Sequence, residues 1–197
     1  MKFSLGYEVA KSEDIHEEYQ IMKRQIFANV SVEHMEPLLR EFIEAIEEPC
    51  FFILELPMNE AEEKELRKQD TDPYHRAVYY IDGCTKEKLL YILANSGELL
   101  IQDGMSCFGF ASHKTMDEIF VGKYNVVTIY SKKPKKFTGL LEKFGIKRTK
   151  ELITAWNTFS ETSFGCCKGI ELHGTNVYAL PELYEGLGIY RAEVREE

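Results

Sequence analysis

Apolar and polar positions alternate between two periods along this chain, and the helical period comes first. Ile15, Tyr19, Met22, Ile26 and Val30 recur in steps of three and four behind the opening Ser12-Glu13-Asp14. That spacing predicts an amphipathic helix capped by Ser12, with acids in the first turn where the helix dipole favours them. A second stripe follows Ser31: Met35, Leu38, Leu39, Phe42, Ile43 and Ile46. Glu33, Glu36, Glu41, Glu44, Glu47 and Glu48 fall largely off it. The expectation for residues 1–48 is therefore a pair of acidic amphipathic helices.

Past Pro49 the pattern turns extended. Cys50 to Leu56 is short, apolar and aromatic, which predicts a buried strand closed by Pro57. Asn59-x-x-Glu62 resembles a capping box, and the charged stretch behind it predicts a solvated helix. His75 to Asp82 reads as a strand. Thr85 opens a helix on Leu89, Leu90, Ile92 and Leu93, expected to end at Asn95-Ser96-Gly97. Further strands are expected at 98–102, 106–112, 117–121 and 124–131. Pro134 starts a helix that Gly145 stops, and Thr149 caps another carrying Leu152, Ile153, Trp156 and Phe159. Short strands near 170–173 and 176–178, a helix from Pro181 and a last strand at 189–194 complete the reading.

The order of elements predicts an α/β to α+β fold: a mixed sheet flanked by helices, with hairpins in its middle. A length of 197 residues fits one domain, a helical segment over 1–48 joined to a body over 49–197. A strand–helix unit over 76–97 has a faint echo over 125–145, at offsets of 48 and 49 residues.

Charge changes the picture more than composition does. The net charge of −9 is unevenly spread. Residues 1–72 carry 18 acids against 8 bases, residues 73–150 carry 7 against 13, and residues 151–197 carry 8 against 3. An acidic first third argues against general nucleic-acid binding and suits a basic protein partner. The longest apolar run is far below the roughly 20 residues of a membrane span. The N-terminus lacks the apolar core of a signal peptide, and the five cysteines include no Cys-x-x-Cys pair. A cytoplasmic protein with free thiols is expected, without a membrane partner.

Candidate chemistry is sparse. Phosphate-binding glycine loops and nucleophile elbows are missing, and His16-Glu17-Glu18-Tyr19-Gln20 lacks the second histidine of a zinc-protease helix. No metal or cofactor is expected. The one nucleophile arrangement to weigh is Cys107 with His113 and Asp117 (or Asp103), since a thiolate needs a base and an orienting carboxylate. A buried structural role for Cys107 competes with it, because Cys107 leads an alternating Cys-Phe-Gly-Phe strand. The 103–123 stretch also gathers Asp103, Gly104, His113, Asp117, Glu118, Gly122 and Lys123, as loops that form ligand sites do. A basic cluster from Lys132 to Lys150 fits a solvated helix face, or pairing with acids of the same or a second chain.

In its acidic helical start, its Cys50–Leu56 strand with the Pro57 stop and its aromatic body, the chain resembles the small immunity proteins that bacteria encode beside secreted toxins. The resemblance implies a non-enzymatic protein that covers the active site of a basic toxin. The surface it implies is Glu33, Glu36, Glu41, Glu44, Glu47 and Glu48, or the acids of 60–65. An enzyme or small-ligand protein using the 103–123 loops, and a self-associating structural module, are the alternatives.

Overall fold

The computed structural model describes all 197 residues. It holds a mixed α+β fold built on one nine-stranded sheet, ordered β11-β5-β4-β6-β7-β8-β3-β2-β9. The strands are β2 (Glu18–Met22), β3 (Gln25–Asn29), β4 (Cys50–Pro57), β5 (His75–Cys84), β6 (Cys107–Ser112), β7 (Glu118–Val121), β8 (Val126–Tyr130), β9 (Lys147–Arg148) and β11 (Tyr190–Glu196). Every pairing is antiparallel except the short β2–β9 contact. A separate two-stranded ribbon joins β1 (Tyr7–Glu8) to β10 (Cys166–Cys167).

The expected pair of acidic N-terminal helices is not present. Residues 12–14 make one 3-10 turn and residues 18–29 form the β2–β3 hairpin, with Lys23 in the left-handed region at its turn. The three-and-four spacing of Ile15, Tyr19, Met22, Ile26 and Val30 coexisted with a period of two, and the sheet took the latter. Ile26, Ala28 and Val30 are all buried, and Met22 of the supposed stripe is exposed. Aromatic and β-branched residues pack well on a half-buried pleat, which favours this outcome.

The second helix forms as α1 (Val32–Ala45), burying Met35, Leu38, Leu39, Phe42 and Ile43. The Ser31 hydroxyl makes no cap. It binds the backbone of Lys2 instead, tying the N-terminus to the start of α1. Asn59 caps α2 (Glu60–Leu66) as its spacing foretold, accepting from the amides of Ala61 and Glu62. Thr85 caps α3 (Lys86–Gln102), but this helix runs straight through Gly97. The strand expected at 98–102 is its last turns, where Leu99, Leu100 and Ile101 are buried. Burial of three large side chains outweighs the roughly 1 kcal/mol that glycine costs inside a helix.

Pro134 opens a 3-10 turn leading into α4 (Thr138–Lys143), and Gly145 ends it in the left-handed region. The helix expected from Thr149 shrinks to one turn, α5 (Ala155–Thr158), capped by Thr154. The strands expected near 170–178 are absent, leaving one isolated bridge and a 3-10 turn before α6 (Leu180–Leu183). No helix is long and apolar enough to cross a membrane.

Helices α1, α3 and α4 and the segment carrying Val177, Leu180 and Tyr184 share one core with Phe52, Leu54, Leu56, Phe108, Phe110, Ile119, Val127 and Ile129. These strand residues alternate along β4, β6, β7 and β8, so the helices lie on a single face of the sheet.

Candidate functional site: the uncovered face of the sheet

The intervening strand positions define the opposite face, and the ladder register places them in rows. One row runs Phe51–Ala111–Glu118–Tyr130–Gln25 across β4, β6, β7, β8 and β3. The next runs Tyr80–Ile53–Gly109–Phe120–Thr128–Phe27 across β5, β4, β6, β7, β8 and β3. Directly opposed side chains start about 5 Å apart, so each row is a line of neighbouring positions. Gly109 and Ala111 keep the centre low. A Cβ on Gly109 would stand 3.0 Å from the Phe120 ring and 2.5 Å from the Ile119 carbonyl oxygen. Glycine here lets the Phe120 ring lean across the neighbouring strand.

One end of this face is a closed circuit of rings around a carboxylate. His113 stacks on Phe51 at 4.5 Å, Phe51 meets Tyr80 at 5.9 Å, and Tyr80 meets Tyr190 at 6.3 Å between ring centres. Asp82 completes it, bound to His113 Nε2 at 2.9 Å and to the Tyr190 hydroxyl.

The other end is a charge lattice. Arg76 is buried and donates to the carbonyl oxygens of Glu55 and Met105, joining β5 to β4 and to the entry of β6. It also pairs with the carboxylates of Glu55 and Glu197, while Lys123 meets Glu197 and Arg195 meets Glu55 and Glu193.

Glu118 stands apart from both groups. It is half-buried, and its carboxylate receives no hydrogen bond or ion pair from the protein, whereas Asp82, Glu55, Glu193 and Glu197 on the same face all have partners. Burial pushes the Glu118 carboxyl above its ordinary range; Arg195 pulls it partly back and Glu55 adds to the rise.

The residues singled out from sequence scatter. Cys107 and His113 extend toward the same face but lie six residues apart along extended chain, roughly 20 Å at about 3.4 Å per residue. Burial pushes the Cys107 thiol up to about 11, against the pull of Arg76. Such a thiol stays protonated at neutral pH and is a poor nucleophile. His113 has Asp82 as its partner.

Asp117 is buried elsewhere, accepting from Ser131 Oγ at 2.6 Å, from Thr115 Oγ1 at 2.5 Å and from the Lys136 ammonium. Burial would raise its carboxyl, but these three donors hold it below the usual carboxylate range. Asp103 is a buried brace that accepts from the amides of Met105, Ser106 and Ile170. Thus Asp103, Cys107, His113 and Asp117 serve four different places.

Most acids of α1 and its C-terminal end meet bases of the same chain. Glu33 pairs with Lys2 at 2.9 Å, Glu36 with Arg40 at 2.7 Å, Glu41 with Lys143, and Glu47 with Lys114 at 2.7 Å. Glu48 accepts from the Lys86 amide at the start of α3. Glu44 is left with a free carboxylate, since only its carbonyl oxygen is engaged, by Lys86. Lys136 and Lys143 of the basic cluster therefore answer acids within this molecule.

Cavities of about 190 to 420 Å³ lie around α2, beside β11 and α6, beside β2 and β9, and around α3. None of these five is lined by Cys107, His113, Asp117 or Glu118. The sequence pattern alone did not single out Phe51, Tyr80, Phe120, Tyr130 or Arg195. The signal that finds the four rings is the period of two: Phe51, Tyr80, Phe120 and Tyr130 each alternate with a core residue, whereas β11, which carries Arg195, is exposed along its length.

The fold and site together describe an antiparallel α+β protein with helices on one face of its sheet and rings and charges on the other. No family model matches this chain, nor does any curated protein or solved structure.

Proposed function

We propose that this chain is a non-enzymatic binding protein that takes a basic protein partner on the uncovered face of its sheet, in the manner of an immunity protein. The carrying observation is Glu118, a half-buried carboxylate without a partner, set beside Phe120 and opposite Tyr130. Rings supply contact area at low entropic cost, and an unpaired desolvated acid discriminates strongly for a cation. The acids of α1 are mostly answered internally, which moves the weight from that helix to the sheet. The free thiols Cys50, Cys84 and Cys107 suit action in a reducing compartment.

The test is capture from the native host on the immobilised chain, followed by hydrogen-exchange mapping of the complex. A partner of high isoelectric point that protects β6–β8 and is released by salt supports the reading. A partner that is acidic, or that protects only α1, overturns it.

A further inference from the structure

Among the acids of the uncovered face, Glu118 is distinguished by what surrounds it. Tyr130 lies directly across the β7–β8 ladder, Phe120 lies two residues along the same strand, and Phe51 lies two strands away beyond Ala111. Ala111 is 1% exposed, so neighbouring side chains close over it between Phe51 and Glu118, whose strand axes lie about 10 Å apart. The cation that acts on it most closely is committed: Arg195 is held by Glu55 and Glu193. The lattice that pairs Glu55, Glu193 and Glu197 stops short of this one.

We propose that Glu118 anchors one arginine side chain of the partner, its guanidinium paired with the carboxylate and its plane resting against the rings of Tyr130 and Phe120. This rests on the reading of the sheet face as the partner surface and names the chemistry that the face selects. Arginine fits better than lysine for two reasons. A planar guanidinium meets a carboxylate through two parallel N–H donors while stacking on an aromatic ring, and it is more weakly hydrated than an ammonium, so it enters a half-buried site at lower cost. The flanking half-buried rings of Phe51 and Phe27 suit an apolar residue on either side of that arginine.

The experiment is an NMR titration of the full-length, nitrogen-15-labelled chain with three probes: the capped peptide Ac-Gly-Leu-Arg-Leu-Gly-NH2, the same peptide with neutral citrulline in place of arginine, and N-ethylguanidinium. The arginine peptide is expected to move the amides of Ala111, Glu118, Phe120 and Tyr130 and to bind at least tenfold more tightly than the citrulline peptide. Glu118→Gln should abolish that preference while leaving the remaining amide spectrum unchanged, and Phe120→Ala should weaken both peptides. Equal binding of the two peptides, shifts confined to α1, or an unchanged arginine preference in Glu118→Gln would each overturn the proposal. Binding of N-ethylguanidinium as tight as that of the arginine peptide would overturn the assignment to a protein segment and point to a small organic cation. The wider reading fails separately: a captured basic partner that covers β6–β8 and binds Glu118→Gln unchanged removes the arginine anchor and leaves the surface.

Discussion

Glu118 and Asp117 are adjacent in sequence and have opposite environments, because the strand turns their side chains to opposite faces of the sheet. Asp117 points into three donors, and Glu118 points to a face where no donor of the chain reaches it. The same alternation that builds the core thus separates a carboxylate paired inside the chain from one left without a partner.

For Glu118 the sign of the effect on stability is unusual. Its folded-state carboxyl is raised by burial, so the native chain holds its proton more firmly than the unfolded chain does. Stability from this group is present below the unfolded pKa and is lost as pH rises through the higher folded value. Glu118→Gln is expected to raise the melting temperature by a few degrees at pH 7, with the gain shrinking toward pH 4. Thermal melts of both forms across that range check it. A stabilised variant that loses its partner is the signature of a residue kept for binding.

Asp117 is expected to behave in the opposite way. Its depressed carboxyl contributes stability above the unfolded value, near 4, that is lost as pH falls through the folded one. Asp117→Ala removes the acceptor for Ser131, Thr115 and Lys136 and should cost about 2–3 kcal/mol in urea unfolding at pH 7. The difference from the parent should narrow below pH 4.

Gly6 and Gly104 hold the N-terminal segment against the entry of β6. A Cβ on Gly6 would stand 2.1 Å from the Gly104 amide nitrogen, and Gly6 itself donates to Gln102 O and accepts from Lys168 N, both at 2.8 Å. The space admits no methyl group. Gly6→Ala is expected to break both bonds and cost more than about 2 kcal/mol, with faster amide exchange at Gly6 and Lys168.

Thiol reactivity separates the five cysteines. Cys166 is exposed, Cys167 is half-buried, and Cys50, Cys84 and Cys107 are buried. Burial pushes both Cys50 and Cys107 to about 11. Titration of the native chain with a disulfide reagent should show Cys166 reacting first and Cys107 among the last, the reverse of a nucleophilic cysteine.

The local grammar of the sequence identified much of the frame. Ser31 to Ile46 read correctly as a helix, Asn59 and Thr85 capped the helices their spacing foretold, and Cys50–Pro57 was visible as a buried strand. What misled was periodicity in short segments. In residues 15–30 five apolar positions satisfied a helix, while the hairpin buries Ala28 as well and leaves Met22 exposed. Gly97 read as a stop, yet its helix continued because the sheet needed Leu99 and Leu100. The site was hardest to see. Phe51, Glu118 and Tyr130 are 67 and 12 residues apart, and only the register of three ladders places them in one row. The internal pairing of α1 acids with Lys2, Lys114 and Lys143 is equally non-local, so counting charge along the chain overstated how free those acids are.

The central claim is that the sheet face, and not α1, meets the partner. Its most direct test is quantitative capture from the native host with three forms of the chain: the parent, the Glu118→Gln/Phe120→Ala double variant, and the Glu41→Gln/Glu44→Gln/Glu47→Gln triple variant. The account predicts one basic protein retained by the parent and by the triple variant, and lost at least tenfold from the double variant. Retention by the double variant, or loss from the triple variant alone, would contradict it.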